Sequence, residues 1–178
     1  TGYMANIGVF SALMDTGMGE LFGYGNFNKG EAVIFSDEYN HGSIVDGCRL
    51  SSAKKIIYKH NDIDDLQRKI NANPVDRKLI VTEGVFSLDG EITPVKKFIE
   101  IAKNNNALLM IDDAHGIGVL GKNGGGIGEY YDCAGEIDIL MGCMDKAFGG
   151  TGGYLAGKRG LIDYLKVSAR SALLSSAL

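Results

Sequence analysis

Short apolar runs recur along the chain: Ala32-Val33-Ile34-Phe35, Lys54 to Tyr58, Leu79-Ile80-Val81-Thr82, Ala107 to Ile111 and Ile137 to Met141, each bounded by polar residues or glycine. Runs of this length and makeup predict buried β-strands. Tyr154-Leu155-Ala156 predicts one more. Between them the apolar positions shift to helical spacing. Asp62 caps a predicted helix with Ile63, Leu66 and Ile70 on one face, stopped by Asn73-Pro74. Thr93-Pro94 opens another, because proline suits the first helical position, and Val95, Phe98, Ile99 and Ala102 follow at helical spacing. Strands alternating with crossover helices predict an α/β fold of three layers, a mostly parallel sheet flanked by helices. No repeat or linker divides the 178 residues, so one domain is expected.

Glycine changes the picture. There are 26 glycines against 2 prolines, gathered at Gly17 to Gly30, Gly116 to Gly128 and Gly149 to Gly160, which predicts tight turns around a site. A net charge of -4 without blocks of like charge predicts neither a nucleic-acid surface nor a polybasic membrane patch. No apolar run reaches transmembrane length, so no membrane partner is indicated. Cys48, Cys133 and Cys143 lie far apart, with no CxxC pair and no histidine at ligand spacing. Neither a disulfide framework nor a metal site is expected, and a reducing cytoplasm fits. The chain starts at Thr1, inside what reads as a motif, so it is expected to be a piece of a longer protein.

Ligands of open α/β sheets bind beyond the carboxyl ends of the strands. Four stretches occupy such places: Asn40-His41-Gly42-Ser43, Glu83 to Ser87, Asp112-Asp113-Ala114-His115-Gly116, and Gly142 to Gly153, where Lys146 sits among glycines. A carboxylate, an imidazole and a lysine at separate strand ends suit pyridoxal 5'-phosphate (PLP) chemistry. A lysine amine forms a Schiff base with the cofactor aldehyde, and a carboxylate on the pyridine nitrogen keeps the ring an electron sink. Backbone amides and hydroxyls in glycine-rich turns suit the phosphate. Each residue also has a bland reading. Lys146 reads as a solvent-facing lysine, Asp112 as a helix cap or surface ion pair, His115 as a hydrogen-bonded histidine, and Gly124-Gly125-Gly126 as a flexible loop. His60, beside the cap Asp62, reads as structural.

These stretches together resemble the α-oxoamine synthase family of fold-type-I PLP enzymes, and the likeness runs the length of the chain. Thr1-Gly2-Tyr3-Met4-Ala5-Asn6 is similar to the family segment whose backbone amides approach the cofactor phosphate, which implies Gly2 and Tyr3 as cofactor contacts. Asn40-His41-Gly42-Ser43 resembles the segment whose histidine stacks on the ring, here His41. Val81 to Gly90 is similar to a stretch lining the site, which implies Glu83 near substrate and Ser87 near cofactor. The most specific likeness, Asp112 to Gly121, implies Asp112 on the pyridine nitrogen and His115 beside the phenolic oxygen and substrate. Lys146-Ala147-Phe148-Gly149 resembles the Schiff-base lysine segment, and Leu174 to Leu178 the serine-rich turn that closes the large domain.

The resemblance implies a homodimeric acyltransferase, with a shared active site, that condenses a small amino acid with an acyl-CoA thioester, usually with loss of carbon dioxide. Within the family, Asp112-Asp113-Ala114-His115 is nearest the members making 8-amino-7-oxononanoate or 3-ketosphinganine. It also implies that residues 1–178 are the PLP-binding large-domain core, without the N-terminal segment and the C-terminal small domain. Three positions depart from the pattern: Cys143 where a phosphate-binding threonine is usual, Asp145 in place of serine or glycine, and Gly125 in place of an arginine. The alternatives are another fold-type-I activity, an aminotransferase or lyase, and a catalytically silent paralogue that serves as a binding subunit. A dinucleotide-binding domain is disfavoured, because no GxGxxG opens a helix after the first strand.

Overall fold

A computed structural model describes residues 1–14 and 31–176. The glycine cluster at 17–30 and the final Ala177-Leu178 lie outside the described residues. The apolar runs form six strands: β1 (Ala32–Asp37), β2 (Lys54–Tyr58), β3 (Arg77–Glu83), β4 (Leu108–Asp112), β5 (Ile139–Cys143) and β6 (Gly153–Gly157). They build one sheet in the order β2-β1-β3-β4-β5-β6. Every pairing is parallel except β5 with β6. The sheet therefore grows from β1 to β2 and then resumes on the other side of β1 with β3, a reversal that leaves a crevice where β1 and β3 end.

Alternate side chains explain the three layers. On one face Val33, Phe35, Ile80, Leu109 and Ile111 pack against Leu66 and Ile70 of α3 (Ile63–Asn71) and Phe98 and Ala102 of α4 (Val95–Asn104). On the other, Ile34, Leu79, Val81, Met110 and Met141 pack against Val9 and Phe10 of α1 (Gly2–Met14) and Ile44 and Cys48 of α2 (Gly42–Leu50). The α1–α2 contact is close, since a Cβ at Gly47 would lie 2.3 Å from the Phe10 ring. Downstream come α5 (Gly126–Tyr130), α6 (Arg159–Ser168) and α7 (Arg170–Leu173).

The Asp62 cap forms as expected, accepting the Asp65 N–H at 2.8 Å. The second expected cap is displaced by one residue: Pro94, with ψ 66°, sits before the helix, which begins at Val95. β5 starts two residues later than expected, because Asp138 turns its carboxylate onto the Leu109 N–H at 3.0 Å instead. The Gly124-Gly125-Gly126 stretch is a closed turn and not a loose loop. Gly118 donates to the Gly124 carbonyl at 2.8 Å and Gly126 to the Leu120 carbonyl at 3.0 Å.

Candidate active site

In register, Glu83 lies beside Asp112 and Asp112 beside Met141, so β3, β4 and β5 deliver their last residues to one edge. The start of α1 presses on that edge: a Cβ at Gly2 would lie 2.2 Å from the Cys143 sulfur, so only glycine fits. Between them opens a cleft of about 250 Å³. Eight of the nine expected site residues line it: Gly2, Tyr3, His41, Glu83, Asp112, His115, Cys143 and Lys146. Ser87 does not. It is exposed on the turn after β3, outside the cleft lining.

Asp112 is buried at the cleft floor. Its Oδ1 accepts the Ala114 N–H at 3.1 Å and its Oδ2 accepts Nδ2–H of Asn6 at 2.8 Å. Burial raises its pKa, against the pull of those two donors. Glu83 accepts the backbone N–H of His41 at 2.6 Å. Burial first, and the Asp112 carboxylate second, push the Glu83 carboxyl up to about 8. His115 is half-buried, and burial with the neighbouring Lys146 charge lowers its pKa, which favours a neutral imidazole. Burial raises the Cys143 thiol, opposed by Lys146. Tyr3 donates its hydroxyl to Asp46.

Lys146 sits on a tight turn, with Gly150 donating to the Met144 carbonyl at 2.7 Å, Met144 to Gly152 at 2.9 Å, and Gly149 to Lys146 at 3.1 Å. The glycines at 149 and 152 take φ of 60° and 131°, which a side chain would disfavour. Asp145 also lines the cleft. Its own backbone N–H, and then the Lys146 charge, hold its carboxyl below the usual range. Next to Asp112, Asp113 has a different task. It is fully buried and accepts the Ile127 N–H at 2.8 Å, while its backbone binds Met141, Gly116 and Ile117, fastening the glycine turn to the strand end.

A scan against family models matches the aminotransferase class I and II family over residues 1–178. The chain belongs to that family. The 8-amino-7-oxononanoate synthase of Thermosipho melanesiensis is 53% identical over 149 residues, covering 83% of this chain and 38% of the relative. The synthase of the same name from Lysinibacillus sphaericus is 45% identical over 179 residues, covering 100% and 42%. Among solved structures, a serine palmitoyltransferase from S. paucimobilis with a bound PLP-myriocin aldimine superposes with a TM-score of 0.87 at 31% identity, covering 100% of this chain and 42% of that one. The 8-amino-7-oxononanoate synthase of Francisella tularensis gives 0.80 at 34%, covering 100% and 47%. The chain thus spans about two fifths of the length of the curated relatives it matches. The three-layer fold expected from the alternation of strands and helices is the family's fold, shared with these transferases.

Two residues that support this family member's cleft, Ser43 on its lining and Asn6 buried behind it, escaped sequence reasoning as individuals. Asn6, inside α1, and Ser43, in the first turn of α2, are both buried and hydrogen-bonded to each other at 2.8 Å. Each stood within a quoted motif, but nothing in the sequence says that residue 6 reaches residue 112. Among the described residues, His60, Asp89 and Glu91 lie close enough together for a cation, yet both His60 nitrogens already meet carboxylates. No described helix is long and apolar enough to cross a membrane, and all three cysteines are free and buried.

Proposed function

We propose that this chain is the PLP-binding core of a longer α-oxoamine synthase of the 8-amino-7-oxononanoate synthase type, a cytoplasmic homodimer that joins a small amino acid to an acyl-CoA thioester. The observation that carries this reading is the convergence of Asp112, His115, His41 and Lys146, from three separate segments, on one cleft. The donor set fits the cofactor. Lys146 offers an amine for its aldehyde and Asp112 a fixed carboxylate for its pyridine nitrogen. The first turn of α1, at Gly2 and Tyr3, offers backbone N–H groups for its phosphate. A thiol at Cys143 is a weaker donor there than a hydroxyl. When bound, PLP supplies an electron sink for the carbanion of the amino acid.

The chain's own residues supply the rest. Lys146 would hold the cofactor through its Nζ, and when free that amine would take up and return the α proton of the amino acid. Asp112, buried and doubly hydrogen-bonded, holds a proton on the pyridine nitrogen. Neutral His115 offers a hydrogen bond to substrate. Glu83, with its carboxyl raised to about 8, presents a neutral acid to the substrate side at neutral pH.

The test is an absorbance spectrum of the full-length protein with added PLP, before and after borohydride reduction, repeated for Lys146→Ala. A visible band that reduction makes permanent in the wild type, and that the variant lacks, is expected. Folded wild type without a band would overturn the enzyme reading in favour of a silent binding subunit. Turnover of amino acid without acyl-CoA would point to an aminotransferase or lyase.

A further inference from the structure

A chain of four polar groups backs the cleft: Asp112, Ser43 and His41 line it, and Asn6 is buried behind them. The Asn6 amide nitrogen has two hydrogens, and both are committed: one to Asp112 Oδ2 at 2.8 Å, the other to Ser43 Oγ at 2.8 Å. The reverse orientation of that amide would set its oxygen against the Asp112 carboxylate, an acceptor facing an acceptor. Ser43 Oγ therefore receives a proton from Asn6 and must place its own elsewhere. Its remaining partner is His41 Nδ1 at 2.8 Å. The Ser43 backbone N–H also points at Nδ1, at 3.2 Å, so the imidazole acts as the N-cap of α2. A proton on Nδ1 would lose both donors and would face the positive end of the helix. Glu83 meets His41 at its backbone N–H and not at its ring.

We infer that Asn6 and Ser43 are positioning residues that hold the His41 imidazole in the tautomer with its proton on Nε2. The direction of hydrogen bonding starts at the Asp112 carboxylate, is fixed by the Asn6 amide and the Ser43 hydroxyl, and ends at the imidazole. One carboxylate thereby sets both its own lone pairs and the tautomer of the opposite wall. For the proposed function, on which only this consequence rests, His41 meets the cofactor ring as that one tautomer. An ordinary hydrogen bond biases such an equilibrium about tenfold, so about nine in ten rings or more carry the proton on Nε2.

The experiment is a long-range ¹H–¹⁵N correlation spectrum of the full-length, PLP-free protein labelled with ¹⁵N-histidine. It is recorded at about pH 8.5, above the ordinary imidazole range, with His41 assigned by its loss in His41→Gln. Wild type is expected to show an unprotonated Nδ1 and a protonated Nε2. Ser43→Ala is expected to move both nitrogens toward the averaged shifts of exchanging tautomers, and Ser43→Thr, which keeps the hydroxyl, to restore the wild-type pattern. A protonated Nδ1 in wild type, or a wild-type pattern retained in Ser43→Ala, overturns the inference. The wild-type spectrum decides even if Ser43→Ala fails to fold. No cofactor is present in the measurement, so failure of PLP binding leaves its result untouched.

Discussion

His41 follows β1 and His60 follows β2, at the same end of neighbouring parallel strands, and the two rings sit in opposite surroundings. Around His60 the ring partners are carboxylates: Asp37 Oδ1 takes Nδ1 at 2.9 Å and Glu91 Oε2 takes Nε2 at 3.1 Å. Burial alone would lower its pKa, but the hydrogen bonds and charges of Asp37 and Glu91 outweigh burial and raise it. Tyr39 stacks on the ring at 4.4 Å and Phe86 meets it edge-on at 4.3 Å. Around His41 the groups at Nδ1 are donors, and the ring lines an open cleft. In the first cluster, proton donors and acceptors satisfy one another and aromatic rings close over them. In the second, capacity is left unspent toward a space that a ligand can fill. That difference separates a clamp from a site better than residue type does.

The comparison breaks most readily on function. Asp112→Asn should lower the turnover of the full-length enzyme by about 10³-fold, the size expected when one charge-stabilising partner is lost; steady-state kinetics reads it. Asp37→Asn should instead act on stability. Asp37 is buried, and it also accepts the Tyr39 and Asn61 N–H groups at 2.9 Å each. Breaking such a buried pair costs about 3 kcal/mol in denaturant unfolding, while PLP binding persists. If Asp37→Asn abolished PLP binding at full foldedness, the clamp and the site would be one unit.

His60→Gln should have a smaller effect, and one that depends on pH. Because its folded pKa is raised above 6.5, protonation favours folding. Its contribution is full below about pH 6.5 and is lost as the pH rises through the folded value. The stability difference between wild type and His60→Gln should therefore shrink as the pH rises above about 6.5 in denaturant titrations. Glu83→Gln should change least below about pH 4.5, where Glu83 is protonated in the folded and the unfolded chain alike and Gln can still accept the His41 N–H. The raised Glu83 pKa means that wild type loses stability progressively as the pH climbs from 4.5 to about 8. The variant should show a flatter profile over that window.

The strands were legible because a parallel sheet covered on both faces demands continuous apolar runs, and Ile34, Leu79 to Val81 and Leu109 to Ile111 supply them at full burial. α3 and α4 were legible through one-sided apolar spacing. α1 was not, because its exposed positions, Tyr3 and Met4, are as apolar as its buried ones, and it shows no polar face to set a period. α2 carries Gly42 and Gly47, which argue locally against a helix. The site followed the same logic. Glu83 and Asp112 stand out as carboxylates ending apolar runs, and Lys146 as the cation among turn glycines. The structural reading of His60 proved sound. Ser87 belongs to a similar motif but sits on the exposed turn, because the chain bends away at Gly84. Asn6 and Ser43 act through geometry between distant segments, which no local pattern encodes.

α1 precedes the strands of the sheet, yet it leans on what is made after them. Asn6 meets Asp112 across 106 residues, Tyr164 donates to the Ala12 carbonyl across 152, and Ser171 to the Met4 carbonyl across 167. A helix of 13 residues is marginal alone in water, and closing loops of such length costs entropy before any contact repays it. During synthesis, then, α1 waits for segments made more than 100 residues after it. The wall that orients Asp112 sets only after the strands and helices it leans on.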